Sequence, residues 1–165
     1  MKLKLLAAFV AAALAIAGLL VFTQKPPAPE VDFVTLQGET ITTTDLRGKV
    51  VLVNFWATTC TSCIKEMPKL VATYERFAAR GFETIAVAMD YDPPAQVEAY
   101  VARSALPFTV ALDSGGAVAR GFDGVRLTPT TFLIDKRGRI VHKYLGEPDF
   151  DRLHALLDEL LDTPA

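Results

Sequence analysis

Val50-Val51-Leu52-Val53-Asn54-Phe55-Trp56 is a nearly unbroken apolar run rich in β-branched residues, and Ala57-Thr58-Thr59-Cys60-Thr61-Ser62-Cys63 follows it directly. Such a run is expected of a strand covered on both faces, at the middle of a sheet. From Cys63 onward, Ile64, Met67, Leu70, Val71, Tyr74 and Phe77 fall at helical spacing and stop before Gly81, with Pro68 placed to bend the helix. The two cysteines therefore lie where a central strand hands over to a helix N-terminus. Unpaired N–H groups and the positive end of the helix dipole favour a thiolate there. A thiolate is the nucleophile of disulfide exchange, and two intervening residues leave the second thiol one turn inside the helix, able to attack a mixed disulfide on the first. Cys60 is thus predicted to attack and Cys63 to resolve. A zinc half-site and two inert cysteines are the competing readings. Zinc needs two further ligands, and the two histidines, His142 and His154, fall on a predicted strand and a distant helix, where a solvated position is expected of each.

Outward from this stretch, Val31 to Ile41 alternates around Gln37-Gly38-Glu39 as a small hairpin does, and Glu83 to Met89 reads as a second buried strand. Asp92-Pro93-Pro94 offers an N-cap and a proline-compatible first turn to a helix carrying Val97, Tyr100 and Val101. Strands are expected at Thr109–Leu112, Thr130–Ile134 and Ile140–Tyr144, the last two joined by Asp135-Lys136-Arg137-Gly138-Arg139, whose glycine accepts a left-handed backbone. Leu153, Leu156, Leu157, Leu160 and Leu161 close the chain as an amphipathic helix. This order predicts an α/β domain: a mixed sheet with helices on both faces.

The chain has 165 residues, 51% hydrophobic and 22% charged, which suits one compact domain and excludes a disordered one. Three of the 17 basic residues precede Glu30 and none of the 19 acidic ones does, so the chain from Glu30 onward is acidic and has no basic face for nucleic acid. Two cysteines are too few for a disulfide-stapled scaffold or a four-cysteine zinc site. At the N-terminus, Lys2 and Lys4 precede the uncharged run Leu5 to Phe22, which as a helix measures about 27 Å, enough to cross a bilayer core. An uncleaved anchor is favoured over a signal peptide cut after Ala15-Ile16-Ala17, since that cut leaves Leu19-Leu20-Val21-Phe22 on the mature terminus. Either reading exports the rest of the chain, with the lysine end kept inside. Gln24 to Glu30 holds three prolines and reads as an extended, semi-rigid spacer. The expected organisation is an anchor over residues 1–23, a linker over 24–30 and one domain over 31–165.

Val51 to Cys63, together with Leu127-Thr128-Pro129-Thr130-Thr131-Phe132-Leu133-Ile134-Asp135, resembles the thioredoxin superfamily, and within it the membrane-anchored TlpA/ResA-type thiol-disulfide oxidoreductases. The resemblance covers Val31 to Leu161. It implies a thioredoxin-like fold with an N-terminal β-hairpin extension and a helix-strand insertion at its centre, preceded here by the single transmembrane helix. It implies catalysis by Cys60 and Cys63 with no cofactor beyond their redox-active disulfide. Pro129 matches the cis-proline loop, where the Thr128 backbone would pair with a substrate strand, and Trp56 lies beside that substrate site. Glu66 matches the glutamate of a Cys-x-x-Cys-x-x-Glu pattern and, three residues past Cys63, shares its helix face. Asn54 stands where thioredoxin has a buried aspartate, so Glu66 is the candidate for proton traffic. Departures from the family pattern are Thr59 for a tryptophan, Thr61-Ser62 for a dipeptide containing proline, and Thr128 before the proline.

By the same resemblance the expected function is reduction of disulfides in exported proteins, for cytochrome c or metal-centre maturation. Its partners would be exported thiol or disulfide proteins and a membrane thiol donor. The domain would stand in the periplasm or otherwise outside the cytoplasmic membrane. The same site run backward is a thiol oxidase, and the sign depends on the reduction potential. A copper-handling module on this fold is disfavoured by the two-residue cysteine spacing. A peroxidase is disfavoured by Ala57, where its pattern needs threonine.

Overall fold

A computed structural model describes residues 25–164. The predicted anchor at residues 1–23 lies outside the described residues, and among those no helix is long and apolar enough to cross a membrane. Strands β1 (Asp32–Thr35) and β2 (Thr40–Thr42) form the N-terminal hairpin, followed by β3 (Val50–Trp56), α1 (Thr61–Phe77), β4 (Phe82–Ala88), α2 (Pro94–Ser104), β5 (Thr109–Leu112), α3 (Ala117–Gly121), β6 (Thr130–Ile134), β7 (Ile140–Leu145) and α4 (Phe150–Asp162). They build one seven-stranded sheet in the order β2-β1-β5-β4-β3-β6-β7. β3, β4 and β5 run parallel, while β6 pairs antiparallel with β3 and β7 with β6. The hairpin joins the far edge through β1 against β5.

All seven residues of β3 are buried, as its composition requires. The pleat sends Val50, Leu52 and Trp56 into one core with Cys63, Met67, Leu70 and Phe77 of α1, Val97 of α2, and Leu153, Leu157 and Leu160 of α4. It sends Val51, Val53 and Phe55 into a second core with Phe33, Val118, Ala119, Phe122 and Phe132. Helices therefore cover both faces, but the three long ones share one of them.

Three local expectations are corrected. Of the predicted linker, residues 25–30 run alongside the start of β7 and are no free spacer. Ile140 N donates to Pro26 O and Ala28 N to Gly138 O, each at 2.8 Å, and Ala28 is buried. Proline deprives this segment of donors but leaves its carbonyls free to pair with a strand end. Asp92 does not cap α2; the N-cap is Pro93, without a side-chain bond, and the Asp92 carboxylate is used elsewhere. The short helix α3 has no counterpart among the predicted elements, because five residues hold too little periodicity to read. It starts on the buried Asp113, which accepts from Val118 N at 2.9 Å and Ala119 N at 2.8 Å. Pro68 sits inside α1 on its exposed side, and the helix runs on through it. Gly138 has φ of +73°, the left-handed backbone its turn requires.

Candidate active site

β3 ends at Trp56, and a tight loop brings Cys60 to the N-cap of α1, with its backbone extended at φ −87° and ψ 101°. Cys60 Sγ accepts from Cys63 N at 3.2 Å, so the sulfur occupies the place a capping oxygen takes in other helices. The Ser62 hydroxyl lies 3.4 Å from the same sulfur. Cys60 and Cys63 are joined by a disulfide, with Cα atoms 5.3 Å apart. Cys60 is half-buried and Cys63 fully buried, so of the pair only Cys60 offers its sulfur to a large partner.

The loop carrying Cys60 is clamped by the residue expected to cap α2. Asp92, 4% exposed, accepts from Thr58 N and from Thr58 Oγ1, each at 2.6 Å. The β4–α2 connection thereby holds the backbone two residues before Cys60. No local signal marks this role, because Asp-Pro-Pro is equally a helix cap and the partner lies 34 residues away.

Glu66 is fully buried. It falls on the stripe Cys63, Met67, Leu70 of α1, at spacings of three and four, so the helix carries its carboxyl into the core that the stripe fills. One turn from Cys63, it places its Cβ about 5–6 Å from that of the cysteine. Its Oε1 accepts from Asn54 Nδ2 at 2.9 Å, and the same amide donates to Thr131 Oγ1 at 2.9 Å. β3, α1 and β6 are thus tied by one buried polar knot, of which Thr131 is the member the sequence does not suggest. Glu66 Oε2 and Asn54 Oδ1 have no hydrogen-bond partner. Burial pushes the Glu66 carboxyl up from 4.5 to about 7, with Asn54's donation lowering it, Glu147 raising it and Lys69 lowering it. At neutral pH this carboxyl can take up or release a proton one helical turn from a thiol.

Pro129 is buried behind Thr128, and the peptide between them is cis. β6 begins immediately after, with Thr130 opposite Phe55 of β3, so the proline loop lies at the same end of the sheet as the cysteines. Tyr91, 57% exposed, has its hydroxyl 3.5 Å from Thr128 Oγ1, and Leu127 is 73% exposed beside them. These two apolar side chains flank the loop in the open, and no motif singles out either in the sequence. Trp56, by contrast, is fully buried against the Tyr100 ring at 5.3 Å and presents no surface to a substrate. Its place as the last residue of a strand buried on both faces decides this.

His142 is exposed on β7. His154 is not merely solvated: Nε2 lies 2.9 Å from Thr73 Oγ1, and the ring packs 5.5 Å from that of Phe77. Burial and then Arg76 depress its pKa. Among the described residues no cluster of three or more histidine, cysteine, aspartate or glutamate side chains could hold a metal.

Comparison with known proteins agrees with this geometry. The Redoxin family model matches residues 23–157. Thiol-disulfide oxidoreductase ResA of Bacillus anthracis is 38% identical over 133 residues, covering 81% of this chain and 76% of its own. A solution structure from Neisseria meningitidis described as a thioredoxin superposes with TM-score 0.76 and 40% identity, over 83% of this chain and 91% of that one. A crystal structure from Chlorobium tepidum, described as thiol:disulfide interchange protein DsbE, gives TM-score 0.76 at 28% identity, over 84% and 97%. The family match takes in the central strand, the cysteine helix and the proline loop alike, so this chain belongs to the Redoxin family of the thioredoxin superfamily, as a thiol-disulfide oxidoreductase of the ResA/DsbE type.

Proposed function

We propose that the protein works as a reductant of disulfides in exported proteins, in the service of cytochrome c or metal-centre maturation, and that it is recharged by a membrane thiol donor. The observation that carries the direction is the buried Glu66 one turn behind Cys63. A carboxylate close to a thiol opposes its ionisation, and a thiolate is what stabilises the reduced form of a strongly oxidising pair. Glu66 works against the thiolate stabilisation that the helix N-terminus supplies, which favours the disulfide and makes the dithiol the readier electron donor.

In the proposed cycle the Cys60 thiolate attacks one sulfur of the substrate disulfide. That bond breaks, the departing substrate thiolate takes a proton, and a mixed disulfide to Cys60 forms. Cys63 then passes its proton to Glu66 and attacks Cys60 Sγ, closing the Cys60–Cys63 disulfide and expelling the second substrate sulfur as a thiolate, which takes the proton that Glu66 holds. Two electrons pass to the substrate, and no cofactor beyond the cysteine pair takes part. The Thr128 backbone, before Pro129, would align the incoming strand. The apolar run Leu5 to Phe22 supports a cytoplasmic-membrane anchor with the domain on the far side. Equilibration of the Cys60–Cys63 couple with glutathione or thioredoxin measures the potential. A value at or below about −220 mV is expected, whereas one near the −120 mV of a dedicated oxidant would reverse the assigned direction.

A further inference from the structure

We infer that the domain is held with its β6–β7 turn against the bilayer, where a basic corner takes anionic lipid headgroups, and with Cys60 turned away from the membrane. The inference rests on the reading of residues 5–22 as a membrane span and adds to it an orientation and a lipid contact. From Pro26 onward the chain is docked on the domain. Pro26 O and Ala28 N are hydrogen-bonded to Ile140 N and Gly138 O, and Pro27 forms an antiparallel bridge with Arg139. From Phe22 to Pro26 there are four Cα steps, which reach at most about 14 Å. The headgroup layer takes up roughly 6 Å of that. The docked turn therefore stands no further from the lipid surface than about one Debye length, 8 Å at physiological salt.

The charge at this corner is opposite to that of the domain as a whole. Gly48 N donates to Lys136 O and Arg47 Nη1 to Arg137 O, so the loop before β3 and the β6–β7 turn form one surface. It gathers Lys25, Arg47, Lys49, Lys136, Arg137 and Arg139 around four carboxylates, Glu30, Asp45, Glu83 and Asp135. Among the described residues the Lys25 and Arg137 side chains pair with no carboxylate, and Lys136 is fixed on Leu161 O and Thr163 O with its charge uncancelled. Asp158 and Asp162 at this end are held by Arg80, while Glu39 lies across the cleft that Glu83 lines, on the hairpin side. β3 starts at this corner and Cys60 lies past its other end, so the seven-residue strand sets the redox pair about 23 Å further out. A membrane donor must then present its thiols on a part that stands clear of the bilayer.

The test uses the full chain with Cys60→Ser and Cys63→Ser, carrying an environment-sensitive fluorophore on Arg137→Cys or on Leu127→Cys. It is reconstituted in phosphatidylcholine–phosphatidylglycerol vesicles containing a headgroup-labelled quencher lipid. Both positions are exposed, so neither label disturbs the core. Flotation with the vesicles, loss of most emission at position 137 and retention of emission at position 127 are the expected result. Omitting phosphatidylglycerol, or adding Arg47→Gln with Lys136→Gln, should relieve the quenching at 137 while flotation persists. Equal quenching at the two positions, or more at 127, overturns the orientation. Quenching at 137 that ignores lipid charge overturns the headgroup contact. Failure to float overturns the membrane span itself and the orientation with it.

Discussion

Replacing Glu66 by glutamine in the oxidised protein isolates the cost of burying this carboxyl, because the disulfide leaves neither thiol free to titrate. The carboxyl ionises at about 7 in the fold against 4.5 for its ordinary value, which amounts to about 3 kcal/mol between its charged and neutral forms. Because the folded value is the raised one, the native state holds the proton more tightly than the unfolded chain. Stability is then greatest below pH 4.5 and falls as pH rises through about 7, by about 3 kcal/mol in all. Glutamine keeps an acceptor for Asn54 Nδ2 and cannot ionise. Urea unfolding of both proteins at intervals from pH 4 to 8 should therefore give curves that meet at the acid end and separate above it, with Glu66→Gln the more stable at pH 8. His154, whose pKa is depressed, drives stability the other way, but it is common to both proteins and cancels in the difference. The same substitution removes the proton acceptor proposed for Cys63, so disulfide exchange should slow by about 10²–10⁴-fold, the range of general acid–base catalysis. A stabler but slower enzyme is the signature of a functional buried charge. Parallel stability curves together with unchanged turnover would refute the reasoning.

Cys63→Ser should accumulate a mixed disulfide between Cys60 and a substrate on non-reducing gels and Cys60→Ser far less, since only the half-buried sulfur can be reached first; equal trapping would refute the assigned order. Asp92→Ala should lower stability by about 2–3 kcal/mol in urea titration, because it strands the Thr58 N–H and hydroxyl and frees the loop before Cys60, while Asp92→Asn recovers part of the loss. Phe122→Ala should cost about 3–5 kcal/mol without touching the redox pair, since Phe122 packs 5.5 Å from Phe55 and 5.0 Å from Phe132 in the core on the far side of the sheet.

Much of the fold is legible in local pattern. The run Val50–Trp56, broken only by Asn54, marks a strand covered twice, and the spacing of Met67, Leu70 and Phe77 marks a helix laid on it. The helix N-terminus at Cys60 follows from where strand and helix meet, and with it the half-buried and fully buried positions of the two sulfurs. The Pro129 loop is recognisable by its motif, but no local pattern places it at the same end of the sheet as the cysteines.

What tertiary structure alone decided concerns polar groups, whose meaning depends on partners distant in sequence. Glu66 is marked in the sequence only by its likeness to a family pattern; that it is buried, bonded to Asn54 across the core and pushed up to about 7 is decided by the packing of its stripe against β3. Asp92 reads as a cap until Thr58 arrives from another loop. The proline segment reads as a spacer until the start of β7 offers Ile140 N to Pro26 O. Apolar periodicity reports which face of an element is covered, since any apolar neighbour will do. A hydrogen bond requires one particular partner at one distance and angle, and only the closed fold brings that partner into place.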